Sequence, residues 1–395
     1  MNIHRIMNQL IRSEITSEPP DRETLLALSG QSGDAQTDMM NMLYEMSSSH
    51  DLAHIVGSAL GKLGLLPDGK IGQIFKKQVF LAVSRYESLN YELLAVCKVL
   101  DELKVEYIPL KGSVIRRYYP EPWLRTSCDV DILVHKEDLY RSRDALAEKL
   151  GYGSEGLGQH DISMYAPSGM HIELHYSLIE SDAVGKADLP LENVWEYASR
   201  VSEDSFRCNL DDAMFYYYHI AHMAKHFVQG GCGVRPFIDL AVLPKADEAD
   251  AKKRNALLTK GELLTFAACA EQLSSVWFGK GAHNDITRRM ERYLVSGGTY
   301  GSLLNRVTVE QGARGGRWQY LVSRVWLDFS LLSFQYPSLK KHPYLVPFYQ
   351  VRRWCKIIFK GRIKRPIKEI GINGTISKDA VNAMELLISD MGIEL

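Results

Sequence analysis

The 395-residue sequence predicts an α+β protein, with a small mixed β-sheet over 105–200 between helical regions over 1–104 and 201–395. Three observations predict it. Up to residue 104, apolar residues recur at three- and four-residue spacing, the period of amphipathic helices. From 105, short runs rich in Val, Ile and Leu alternate with one amphipathic segment and close in a hairpin signal. From 209 onward the helical period returns.

The Pro19-Pro20 pair ends a short first helix, because proline lacks the N–H that a helix needs. HDLAHIVGSALGKLGLL and the long stretch from Ile71 to Lys104 carry the next helices. VEYIPLKGS then reads as a strand ending in Gly-Ser, followed by a helical VIRRYYP that Pro120 stops. The strand CDVDILV comes next, then a helix over KEDLYRSRDALAEKLGY and a Gly-rich loop. HDISMY and MHIELHYSL follow as two strands joined by the turn APSG. Asn209, Asp211 and Asp212 supply an N-cap and an acidic first turn for the helix that ends at Gly230-Gly231. The remaining chain reads as helical, without repeats or low-complexity tracts.

Composition is that of an ordinary globular chain: 46% hydrophobic residues, 24% charged, and a formal net charge of -1. No global field therefore draws it to nucleic acid or membrane. Cysteines 97, 128, 208, 232, 269 and 355 form no CxxC pair, which favours reduced thiols over a disulfide framework or a zinc site. The N-terminal segment lacks the apolar core of a signal peptide. The most apolar stretch, YLVSRVWLDFSLLSF, carries Arg324 and Asp328 and is a poor membrane span. A cytoplasmic location without a transmembrane segment is the expectation.

The informative run is RTSCDVDILV. Side chains alternate along a strand, so Asp129 and Asp131 share one face while Val130, Ile132 and Val134 fill the other. Two carboxylates so close repel unless a cation lies between them. On this reasoning, Asp→Asn at either position relieves repulsion and leaves the fold intact. In HIELH, Glu173 likewise shares a face with His171 and His175. With the two strands side by side, three acids gather that can hold two Mg²⁺ ions about 4 Å apart, as in phosphoryl displacement. Gly112 lets the backbone approach a ligand, and Ser113 adds a hydroxyl beside a helix start that favours phosphate. The plainer reading of a lone Asp-x-Asp, a solvated strand edge paired with arginine, loses weight once Gly-Ser precedes it and a third acid follows.

Gly-Ser, helix, Asp-x-Asp strand and later acid, in that order, resemble the polymerase-β-like nucleotidyltransferase superfamily. PLKGS, RTSCDVDILV, HIELH and HMAKHFVQGGCGVRPFIDL together resemble one bacterial branch of it, the uncharacterised nucleotidyltransferase family with helical flanks, over roughly residues 50–350. The resemblance implies that Gly112 and Ser113 hold a triphosphate and that Asp129 and Asp131 bind both metals. It implies that Glu173 binds the catalytic ion and activates the acceptor, although many superfamily members have Asp there. It also makes Lys225, His226, Arg235 and Asp239 a wall over the nucleotide, the plainer alternative being an ion-pair network between helices. Lys111, directly before the glycine, joins the nucleotide-binding set. So does Arg125, whose alternatives are a phosphate or Asp129.

The activity so implied is Mg²⁺-dependent transfer of a nucleoside monophosphate from an NTP, with ATP the first expectation and Mn²⁺ an alternative ion. The acceptor is an unassigned hydroxyl or phosphate, and pyrophosphate leaves. Two rival readings stand beside it. One is a catalytically weak nucleotide-binding or antitoxin-like partner protein, which would release no pyrophosphate. The other is an Asp-x-Asp glycosyltransferase, which would turn over nucleotide-sugars. Four weaker signals complete the reading. GYGSEG matches GxGxxG but follows a helix and precedes a strand, so it reads as a loop at the site mouth rather than a dinucleotide fingerprint. His219, His222 and His226 recur at helical spacing without an HExxH pattern, which argues against zinc. Arg116 and Arg117 read as a solvated face. The basic tail VRRWCKIIFKGRIKRPIK (351–368) also reads first as solvated, with RNA or an anionic membrane surface as its alternative partners.

Overall fold

The computed structural model describes residues 2–30, 33–179, 184–299, 301–359 and 363–394. Its centre is a five-stranded sheet of β1 (Tyr107–Pro109), β2 (Asp129–Val134), β3 (Gly153–Leu157), β4 (Asp161–Tyr165) and β5 (His171–His175). The strand order is β1-β2-β5-β4-β3. β2 and β5 run parallel and the other neighbours antiparallel, so the sheet is mixed. Parallel strands need a crossover. Here the helix Leu139–Leu150 and the β3–β4 pair provide it.

Alternation settles the two faces. Val130, Ile132 and Val134 pack with Ile172 and Leu174 against Leu146 and against Leu89, Val96 and Leu100 of the 34-residue helix Lys70–Leu103. The opposite face, by the same alternation, carries the acids. At about 1.5 Å per residue that helix is about 50 Å long. Its first half contributes Ile71 and Phe75 to a different core. That second core also contains Leu10, Tyr217, Phe227, Phe266 and Ile388, so the N- and C-terminal helical regions share one interior. The last turns of the first region meanwhile cover the back of the sheet.

Two local expectations change. GYGSEG is not a loop at the site mouth: residues 153–157 form β3, the edge strand farthest from β1, exposed throughout. A strand solvated on both faces needs no apolar alternation, so periodicity carries no signal there. Arg116, expected on a solvated face, is buried; it donates to the Gly112 carbonyl (2.8 Å) and to Ser127 Oγ (3.0 Å). Other local signals behave as their chemistry dictates. Asp211 caps the helix Asp212–Val228 by accepting from the Met214 N–H at 2.8 Å. All six cysteines are unpaired. Among the described residues, no helix is long and apolar enough to cross a membrane.

Two histidines packed among the first helices make stability depend on acid. His50 is fully buried, and its pKa is pushed down to about 4 by burial and by His4. Burial also pushes His54 down to about 4, although its Nε2 bonds the Leu124 carbonyl at 2.9 Å. An unfolded histidine titrates near 6.5. The native state therefore binds fewer protons between pH 6.5 and 4, and stability falls as pH drops through that window. The expected loss is about 2 kcal/mol per histidine at pH 5 relative to pH 7. Urea midpoints measured at both values check it; an unchanged midpoint contradicts it.

Candidate active site

The parallel register places Asp129 opposite His171 and Asp131 opposite Glu173, so the three acids converge on one sheet face. Two groups of ligand atoms lie within 4.8 Å of one another: Asp129, His171 and Glu173, and Asp131, Glu173 and His175. His171 stacks on Tyr165 with ring centres 4.9 Å apart, and His175 on His160 at 5.5 Å. The histidines are the part of this cluster that the Asp-x-Asp motif does not announce. Their signal was the alternation in HIELH, which puts both beside Glu173.

The two aspartates have opposite electrostatics. Asp129 is pushed up to about 6 by burial and by the neighbouring charges of Asp131 and Glu173. Burial alone would also raise Asp131, but Lys111 and His175 outweigh it and hold that carboxyl well below the usual range. Both side chains bond the same oxygen, Asp131 Oδ1, with Lys111 Nζ at 3.1 Å and His175 Nε2 at 3.0 Å. His175 Nε2 also lies 3.3 Å from Glu173 Oε2. Burial pushes the His175 pKa down, yet Asp131 and Glu173 raise it overall. Lys111 is raised in the same way: Asp131, Tyr218 and Glu173 prevail over burial.

Lys111 reaches Asp131 from a strained backbone. Its φ of 43° and ψ of -120° match the first corner of a type II′ turn, normally a glycine position. Such a conformation costs on the order of 1–3 kcal/mol and persists where surrounding contacts fix it. The following helix, Gly112–Ile115, is a single turn, and the Ser113 N–H is bonded to the Leu110 carbonyl at 3.1 Å. Gly112 lies against the start of β2: a Cβ there would sit 3.3 Å from Ser127 Cβ and 3.7 Å from the Arg125 guanidinium. Gly112→Val is therefore expected to displace Ser127, which accepts from Arg116 and donates to the Asp129 carbonyl at 3.1 Å. Overpacking of this kind costs about 1–3 kcal/mol. A lower melting temperature together with lost ATP binding in calorimetry is the expected pair of results. Unchanged ATP affinity would separate the turn from the site.

Above the acid-bearing face lies the helix Asp212–Val228, and beside it a cavity of about 130 Å³. Its lining includes Lys111, Phe215, Tyr218, His222, Met223 and His226. Arg125, Arg235 and Asp239 close one end. The acids themselves do not line the cavity; Lys111 joins the two. Arg125, expected to reach a phosphate or Asp129, does not pair with Asp129. Its Nε and a terminal nitrogen grip Asp239 at 2.7 and 2.9 Å, and its other terminal nitrogen donates to the Thr126 carbonyl. Asp239, wholly buried, also accepts from Tyr119 Oη at 2.6 Å, and Arg235 pairs with Asp51. These contacts have the form of the ion-pair network weighed for that wall. Lys225 borders a smaller adjoining cavity with Leu178 and Tyr218, and burial and Lys111 push its pKa down to about 8. His226 and His222 share a 3.1 Å hydrogen bond, and burial lowers both. Among the described residues, neither of them nor His219 belongs to a group with metal-ligand spacing.

Three carboxylates brought together on two adjoining strands, beside a Gly-Ser turn and a cavity that Lys111 lines, mark an enzyme of the nucleotidyltransferase class. A family model described as uncharacterised nucleotidyltransferase matches residues 38–279, more than half of the chain, and the chain belongs to that family. The match begins before and ends well short of the 50–350 span suggested by the motifs. No curated protein and no solved structure matches the chain.

Proposed function

We propose that the protein is a Mg²⁺-dependent nucleotidyltransferase of polymerase-β-like architecture. It moves a nucleoside monophosphate from an NTP, ATP in the first instance, to a hydroxyl or phosphate acceptor and releases pyrophosphate. The observation that carries this reading is the register of Asp131 against Glu173, which sets three acids on one face next to Gly112 and Ser113.

The donor chemistry fits a hard divalent ion. Asp129 and Glu173 offer carboxylate oxygens of the kind Mg²⁺ prefers, leaving room for water and phosphate oxygens. His171 stands among them with its Nε2 buried and unpartnered among the described residues, so Mn²⁺ is acceptable in its place. A second ion would use Asp131 through the oxygen that Lys111 and His175 leave free. When bound, the ions neutralise charge on the transferring phosphoryl group. The chain's own groups do the rest. Ser113 Oγ donates to a phosphate oxygen, and Lys111 keeps Asp131 ionised and oriented. Glu173 accepts the proton of the acceptor hydroxyl as its oxygen attacks the α-phosphorus. The cavity receives the nucleoside between Tyr218, Phe215 and Met223, with Lys225 and His226 nearby.

The test is incubation of the purified protein with Mg²⁺, isotope-labelled ATP and a small-molecule cell extract, with a nucleotide-sugar in parallel. Pyrophosphate release and a labelled product heavier by one AMP are expected. Turnover of the nucleotide-sugar alone, or no pyrophosphate with any NTP, overturns the reading.

A further inference from the structure

The C-terminal region contains a helix that is inside out. In Val346–Phe359 the residues turned inward are polar. Gln350 donates to the Leu327 carbonyl (2.7 Å), and Arg353 donates to the carbonyls of Arg324 and Val325 (3.1 and 2.8 Å). The opposite side carries Phe348, Val351, Cys355, Ile358 and Phe359, whose three- and four-residue spacing makes one stripe. Phe348, Val351, Ile358 and Phe359 are 61%, 63%, 53% and 88% exposed, so the apolar stripe faces solvent. Exposed Arg352 and Lys356 run along its flank. The neighbouring helix Arg317–Val325 repeats the pattern with Trp318, Val322 and Val325 outward.

Charge selects the occupant. Residues 317–359 hold seven Lys or Arg and one acid, Asp328; Arg353 is turned inward and Arg324 pairs with Glu310, which leaves Arg317, Lys340, Lys341, Arg352 and Lys356 exposed. An apolar stripe edged by cations fits a surface that is both apolar and anionic. A second copy of the chain would bring the same cations against these. Nucleic acid would use the aromatic rings and phosphate-pairing cations but leave Val351 and Ile358 in water. We propose that this face is a peripheral membrane-binding surface. Phe348, Ile358 and Phe359 enter the headgroup–acyl boundary of an anionic bilayer, and Arg352 and Lys356 pair with lipid phosphates. Residues 351–359 of the basic tail are thereby absorbed into one surface; residues 360–362 lie outside the described residues.

The full chain is tested by flotation with vesicles of phosphatidylcholine, with and without one third phosphatidylglycerol, at about 0.15 M salt. It is expected to float with the anionic vesicles only. Arg352→Gln with Lys356→Gln should weaken partitioning about fivefold per cation removed. Phe348→Ser with Phe359→Ser should weaken it at least tenfold. These positions are exposed, and near-UV circular dichroism identifies any variant that has failed to fold. Wild type that stays down with anionic vesicles overturns the proposal, as does a phenylalanine variant that floats equally well. It is equally overturned by a wild-type dimer in light scattering that the phenylalanine variant abolishes, which would assign the stripe to a second copy. Retention on single-stranded RNA without flotation assigns it to nucleic acid.

Discussion

Asp129→Asn and Asp131→Asn are expected to part company in stability while both lose activity. Motif logic treats the two acids as equivalent and has either substitution relieve repulsion. The structure corrects this for Asp131. Its Oδ1 is the shared acceptor of Lys111 and His175, and both the aspartate and the histidine are almost fully buried. An amide there takes from Lys111 its one carboxylate partner and leaves His175 only Glu173. Breaking a buried pair costs about 3–5 kcal/mol. Lys111 keeps 25% of its side chain exposed, so about 2–4 kcal/mol is the expected loss. Among the described residues Asp129 has no such partner, and its carboxyl is already pushed up to about 6 by burial and by Asp131 and Glu173. Removing its charge should leave metal-free stability unchanged or higher by about 1–2 kcal/mol. Urea denaturation of both variants without metal, beside a pyrophosphate-release assay, checks the divergence. Equal destabilisation of the two would mean that the Lys111–Asp131–His175 contact does not hold the fold.

Glu173→Gln is expected to separate chemistry from binding. Glu173 touches the cluster through His175 and keeps a quarter of its side chain exposed. The amide preserves shape and can still meet His175. It cannot take up a proton, and it is a weak ligand for a divalent ion. Turnover should fall by roughly 10²-fold or more, the usual worth of a positioned base. The apparent ATP dissociation constant should move by less than about tenfold, because Gly112, Ser113 and Asp129 remain. Single-turnover kinetics with calorimetric ATP binding distinguish the two effects. A variant with normal turnover would remove Glu173 from the reaction and leave the hairpin strand only a structural part.

The sequence by itself determined whatever depends on neighbours in the chain. The period of two in CDVDILV and HIELH fixed which side chains share a face. The period near 3.6 before 104 and after 209 fixed the helical flanks. Gly112-Ser113, Pro120 and Asp211 marked where elements turn or begin. Each follows from backbone geometry within a few residues. Tertiary structure alone decided the pairings. Arg125 meets Asp239, 114 residues away, rather than Asp129, four residues away. Lys111 and His175 meet Asp131, Asp51 meets Arg235, and the N- and C-terminal helices close over one core. An ion pair has no periodicity. A charge takes whichever opposite charge the packing leaves within about 4 Å in a region of low dielectric, and only the folded chain sets that distance. The same holds for the stripe from Phe348 to Phe359. Its spacing is legible as an amphipathic helix, but only the contacts of Gln350 and Arg353 turn its polar side inward and leave the apolar side to solvent.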